Sequence, residues 1–141
     1  MRWLKIGVLA LAVILGTLAC TGQSASQEAA PVKTIMIAQY RKISPELAKE
    51  MMDSEEELIV VDVRTPDEYN QGHIAGALLI PNETISTTTA PAELGDKEAL
   101  ILVYCLSGVR SAQAARKLVS LGYTNVYDFG GIIDWPYEVV R

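Results

Sequence analysis

Cysteine, histidine and positive charge are all scarce in this chain of 141 residues. Cys20, Cys105 and His73 are its only cysteines and its only histidine. That is too few soft ligands for a tetrahedral metal centre, so no metal is expected. If Cys20 is modified or removed with a leader, Cys105 stands alone in the mature chain, which excludes an internal disulfide. Lys plus Arg number 12 against 17 Asp plus Glu, and removing Arg2 and Lys5 with a leader leaves ten bases. With no basic patch and no ladder of aromatic residues, nucleic acid is excluded as a partner. The length has room for one domain.

What is present begins with "MRWLKIGVLALAVILGTLAC". Two positive charges precede an apolar stretch from Ile6 to Ala19 that is short for a transmembrane span, the pattern of an export signal over residues 1–19. "TLAC" resembles a bacterial lipoprotein processing site, which implies lipidation of Cys20 and a membrane anchor. Thr17 and Leu18 depart from that pattern, and plain cleavage near Ala19 or Ala25 is the alternative. Either route places the protein in the periplasm or cell envelope. The small, polar "TGQSASQEAAP" then reads as a flexible tether, giving a tether over 20–31 and a folded domain over 32–141.

Within the domain, short β-branched runs alternate with helical patterns. An apolar segment near 34–38 precedes a helix capped by Ser44, with Pro45 at its first position and Leu47, Ala48 and Met51 on its apolar face. Leu58–Val61 is a continuous apolar strand with Asp62 and Arg64 at its carboxyl end. Thr65 and Glu68 have the spacing of a capping box, Gly72 ends that short helix, and Ala77–Ile80 is the next strand. Residues 82–98 read as loop, with one helical turn around Pro91–Leu94. Ala99–Tyr104 is a strand, Arg110–Leu121 a helix with Ala112, Ala115, Leu118 and Val119 inward, and "NVYDF" a last strand. This alternation predicts an α/β domain with a mostly parallel sheet. Ligands of such folds sit outside the carboxyl ends of the strands, where both Asp62–Arg64 and Cys105–Arg110 fall.

"YCLSGVR" carries the chemistry. Cys105 leaves a strand, Leu106, Ser107, Gly108 and Val109 must curl around its sulfur, and Arg110 opens a helix. Gly108 permits a dihedral closed to other residues. Such a curl turns backbone N–H groups inward and, with the helix dipole, makes a cradle for anions. Cys105 is expected as a thiolate nucleophile, with Arg110 orienting an oxyanion brought against it. No general base is required, and His73 is assigned a structural place. Asp62 and Arg64 either brace the loop as an ion pair, or Arg64 touches the anion directly.

The segments "VDVRTPDEYNQGHIAGALLIP", "YCLSGVRSAQAA" and "NVYDFGGIIDWP" resemble the rhodanese-like sulfurtransferases across most of residues 33–139. The resemblance implies a five-stranded, mainly parallel sheet flanked by helices. It implies transfer of sulfane sulfur from a small anionic donor such as thiosulfate, through a persulfide on Cys105, to cyanide or a thiol acceptor. No cofactor beyond that covalent persulfide is implied, and a monomer is expected. A phosphatase or arsenate reductase also places Cys and Arg around an anion. The six residues from Cys105 to Arg110 suit the sulfurtransferase loop, against seven in the related dual-specificity phosphatases. The alternative that ranks ahead of the phosphatase is a persulfide carrier without turnover, or a protein-binding module, that docks a partner protein.

Overall fold

The computed structural model describes residues 39–55 and 57–141. The leader, Cys20, the tether and the apolar segment near 34–38 lie outside the described residues. The chain divides into the units Met1–Thr34 and Ile35–Arg141, and everything below concerns the second.

In chain order the elements are β1 (Arg41–Lys42), α1 (Pro45–Ser54), β2 (Leu58–Asp62), α2 (Pro66–Gln71), β3 (Leu78–Leu79), β4 (Leu100–Cys105), α3 (Val109–Ser120) and β5 (Asn125–Gly131). Short 3-10 turns occupy Asn82–Thr84, Ala92–Leu94 and Ile132–Asp134. The sheet order is β1-β5-β4-β2-β3, and every strand pairing is parallel. The central strands β4 and β2 are buried on both faces, which is why they read as unbroken apolar runs. Alternation along β4 divides the core. Ile101, Val103 and Cys105 join Ala114, Ala115 and Leu118 of α3, whereas Leu102 and Tyr104 join Ala48 of α1, Phe129 and Trp135.

Helix starts follow local chemistry. The Ser44 side chain accepts from the Leu47 N–H at 3.2 Å, and Pro45 occupies the first turn of α1. Two expectations about side-chain placement and one helix boundary change. Leu47 is 44% exposed, and α1 buries Ala48, with Met51 and Met52 partly covered, because its contact with the sheet is narrow. In α3 the fully buried alanines are Ala114 and Ala115, while Ala112 is half-buried. The helix also begins one residue early, at Val109, because Gly108 takes the left-handed conformation (φ 94°) as its N-cap.

Candidate active site

The loop after β4 is shaped from below. Cys105 is the last residue of β4 and only 1% exposed. The β4–β5 ladder slips between Val103 and Cys105, setting Cys105 opposite Gly131. This brings Gly131 under the loop so closely that a Cβ there would lie 2.3 Å from the Leu106 carbonyl oxygen and 2.7 Å from Ser107 Cα. The chain then turns over at Gly108, whose N–H donates to Cys105 Sγ at 3.1 Å. A buried network ties the turn to β5. The Ser111 hydroxyl donates to Asp128 Oδ1 at 2.6 Å, with the Gly108 and Gly130 carbonyls 3.1 and 3.3 Å away. Asp128 Oδ1 also accepts from the Gly130 N–H at 3.0 Å.

Asp62 and Arg64 meet at the tip of β2. Arg64 Nε and Nη2 donate to Asp62 at 2.9 and 2.6 Å, and the Arg64 backbone N–H reaches Asp62 Oδ1 at 3.0 Å. Arg64 Nη2 also donates to the Gly72 carbonyl at 2.8 Å, fastening the tip of β2 to the end of α2. With the guanidinium 5% exposed and the carboxylate fully buried, this is the bracing pair, although Arg64 still contributes to the wall of a nearby cleft. Beneath it, Tyr104 accepts the Ile74 N–H at 3.1 Å, and burial pushes its phenol up so that it stays neutral.

Arg110 has a partner that sequence spacing does not announce. Its Nη1 and Nη2 donate to Glu68 Oε2 and Oε1, each at 2.7 Å, a bidentate fork across two elements 42 residues apart. Glu68 also closes the capping box of α2. Its Oε2 accepts from the Thr65 N–H and hydroxyl, each at 3.0 Å, and the Glu68 N–H returns to Thr65 Oγ1 at 3.4 Å. The Arg110 bonds are the main reason that the Glu68 carboxyl is held down at about 2. Glu68 in turn raises the Arg110 guanidinium, with smaller contributions from Cys105 and Glu83. The capping role of Glu68 was legible at three-residue spacing; its hold on Arg110 was not.

A cleft of about 430 Å³ runs beside the loop, with Glu68 and Arg64 on one side and Leu106, Ile132, Trp135, Tyr137 and Val139 among its walls. Leu106 and Val109 are 42% and 64% exposed, and Ser107 is exposed with them on the outer face of the turn. Trp135 both packs, 5.5 Å from the Phe129 ring, and lines the cleft. His73 stacks on Tyr69 at 3.6 Å, and its Nδ1 donates to the Tyr69 carbonyl at 3.0 Å, so it belongs to the packing around α2. Among the described residues no group of three His, Cys, Asp or Glu is placed to hold a metal ion.

Both the sequence and the fold are similar to those of known proteins. Residues 44–136 match the family model described as "Rhodanese-like domain". The chain is 37% identical over 98 residues to a probable adenylyltransferase/sulfurtransferase, MoeZ, of Mycobacterium tuberculosis, covering 69% of this chain but only 25% of that longer protein. It is 40% identical over 81 residues to the thiosulfate sulfurtransferase PspE of Escherichia coli, covering 57% of this chain and 77% of PspE. Among solved structures, a rhodanese-like domain protein from Staphylococcus aureus superposes with a TM-score of 0.59 at 32% identity, covering 70% of this chain and 93% of that one. The chain belongs to the rhodanese-like domain family.

Proposed function

We propose that this protein is a sulfurtransferase that takes a sulfane sulfur from thiosulfate or a similar donor onto Cys105 and passes it to cyanide or a thiol. One observation carries the reading: the Gly108 N–H donates to Cys105 Sγ inside a six-residue turn that ends at Arg110, at the start of α3. The Cys105 thiolate attacks the outer sulfur of thiosulfate, the S–S bond of the donor breaks, and sulfite departs with the bonding pair. The Gly108 N–H, aimed at Sγ, stabilises the charge that moves from one sulfur to the next. In the persulfide Sγ keeps its bond from the Gly108 N–H, and the transferred sulfur lies one S–S bond beyond it. Attack by cyanide on its terminal sulfur releases thiocyanate and restores the thiolate. Arg110 closes the turn through its fork to Glu68, and Asp62 with Arg64 holds the neighbouring strand tip. Leu106, Ser107 and Val109 complete the surface that a donor meets. Export by the leader, and anchoring through a lipid on Cys20, would place this reaction in the cell envelope.

Thiocyanate formation from thiosulfate and cyanide tests this, with Cys105→Ser run beside the parent chain. Turnover that falls at least about a thousandfold in the variant is expected. A folded parent chain that gains no sulfur on Cys105 and forms no thiocyanate would overturn the reading.

A further inference from the structure

We infer that the Glu68–Arg110 pair sets the donor preference of this site, away from the compact thiosulfate dianion. The favoured class is sulfane-sulfur donors of low charge that carry an apolar group, organic thiosulfonates and persulfides. Donor choice of this kind presupposes the persulfide step at Cys105.

The charge around the turn is already spent. Both terminal nitrogens of Arg110 are held by the two oxygens of Glu68, and Glu83 adds a second carboxylate to the field at Arg110. The one cation that lines the adjacent cleft is Arg64, which is buried and bonded to Asp62 and the Gly72 carbonyl. The two guanidiniums face Glu68, Asp62 and Glu83, so these side chains carry no net positive charge, leaving backbone N–H groups as the attraction for an anion. A dianion gives up more hydration on entering such a site than a monoanion does, and meets, among the described residues that line the cleft, no cation without a carboxylate partner. Glu68 cannot easily swing aside for a donor, because Thr65 holds it from its own helix cap. Its carboxyl, held at about 2, stays ionised at any physiological pH.

The cleft wall has the complementary character. Leu106, Tyr137 and Val139 are 42%, 38% and 42% exposed, and with Ile132 and Trp135 they form an apolar surface beginning at the residue after Cys105. An apolar donor substituent would bury against it, whereas the sulfonate of thiosulfate has nothing to bury. The chemistry balances for the favoured class. The Cys105 thiolate attacks the outer sulfur of R–SO2–S⁻, forming Cys105–S–S⁻ and releasing the sulfinate R–SO2⁻. With R–S–SH, the products are Cys105–S–SH and the thiolate R–S⁻.

Thiosulfate, methanethiosulfonate and benzenethiosulfonate, each with cyanide as acceptor, separate charge from apolar bulk. Each kcat/KM is divided by the uncatalysed rate of that donor with cyanide. Benzenethiosulfonate should exceed methanethiosulfonate, and methanethiosulfonate thiosulfate, with about tenfold or more between the extremes. Glu68→Gln uncovers the charge of Arg110 while glutamine can still close the capping box, so thiosulfate should gain about tenfold relative to benzenethiosulfonate. Thiosulfate ranking level with or above the other two would overturn the inference. So would Glu68→Gln changing all three donors in parallel, which would leave Glu68 a merely structural part. If no donor places sulfur on Cys105 by mass spectrometry, the persulfide reading itself falls. If donors load Cys105 without turnover, the same ranking is read from loading rates.

Discussion

The two ends of the sheet offer opposite surroundings to a ligand. At the carboxyl ends of the strands, a cleft of about 430 Å³ is lined by Leu106, the residue after Cys105, and by Arg64 and Glu68, which are paired with Asp62 and Arg110. At the amino ends of β2 and β4 lies a larger hollow, about 660 Å³, lined by Glu55, Glu57, Glu93, Asp96 and Glu98 and by no basic residue. The larger hollow has no nucleophile, and its charge repels an anionic donor. Volume therefore does not mark the site in this fold; strand direction does. Chain leaving a parallel strand can present N–H groups and a helix N-terminus to a ligand, and all the parallel strands leave at one end.

The largest expected break in that contrast is Gly131→Ala. Its Cβ would meet the backbone of Leu106 and Ser107, so the turn must lift and carry the Gly108 N–H away from Cys105 Sγ. Displacement by about 1 Å predicts a loss on the order of a hundredfold in thiocyanate formation. Unchanged turnover would show that the turn is not held from below.

A smaller effect should appear in acid. The folded Glu68 carboxyl sits at about 2 against an ordinary 4.5, so its stabilising pair is fully present above pH of about 4.5 and is lost as pH falls toward about 2. For a bidentate but quarter-exposed pair, solvent screening limits the contribution to on the order of 1 kcal/mol. Melting curves across that window should fall less steeply for Glu68→Gln than for the parent chain; parallel slopes would show that Glu68 adds nothing. Smallest of all, Glu57→Gln combined with Glu98→Gln at the far hollow should change thiocyanate formation by less than about twofold. A larger change would give the amino end a part in the chemistry.

Sequence reasoning reached some of this and stopped at a physical boundary. The capped starts of α1 and α2, the unbroken apolar runs of β2 and β4, and the meeting of Asp62–Arg64 with Cys105–Arg110 at one end of the sheet were all legible. Each depends on neighbours a few residues apart or on the alternation of strands and helices. The six-residue turn from Cys105 to Arg110 was legible for the same reason. The employment of Arg110 by Glu68, the seat of Gly131 beneath Leu106, and the Ser111–Asp128 bond under the turn were not. Local spacing determined which groups stand at the strand ends, because helix and strand periods are properties of the chain itself. Only the tertiary structure decided which of those groups neutralise one another. That outcome follows from the packing that brings α2 within hydrogen-bonding reach of α3, and contacts across 42 residues leave no periodic trace in a sequence.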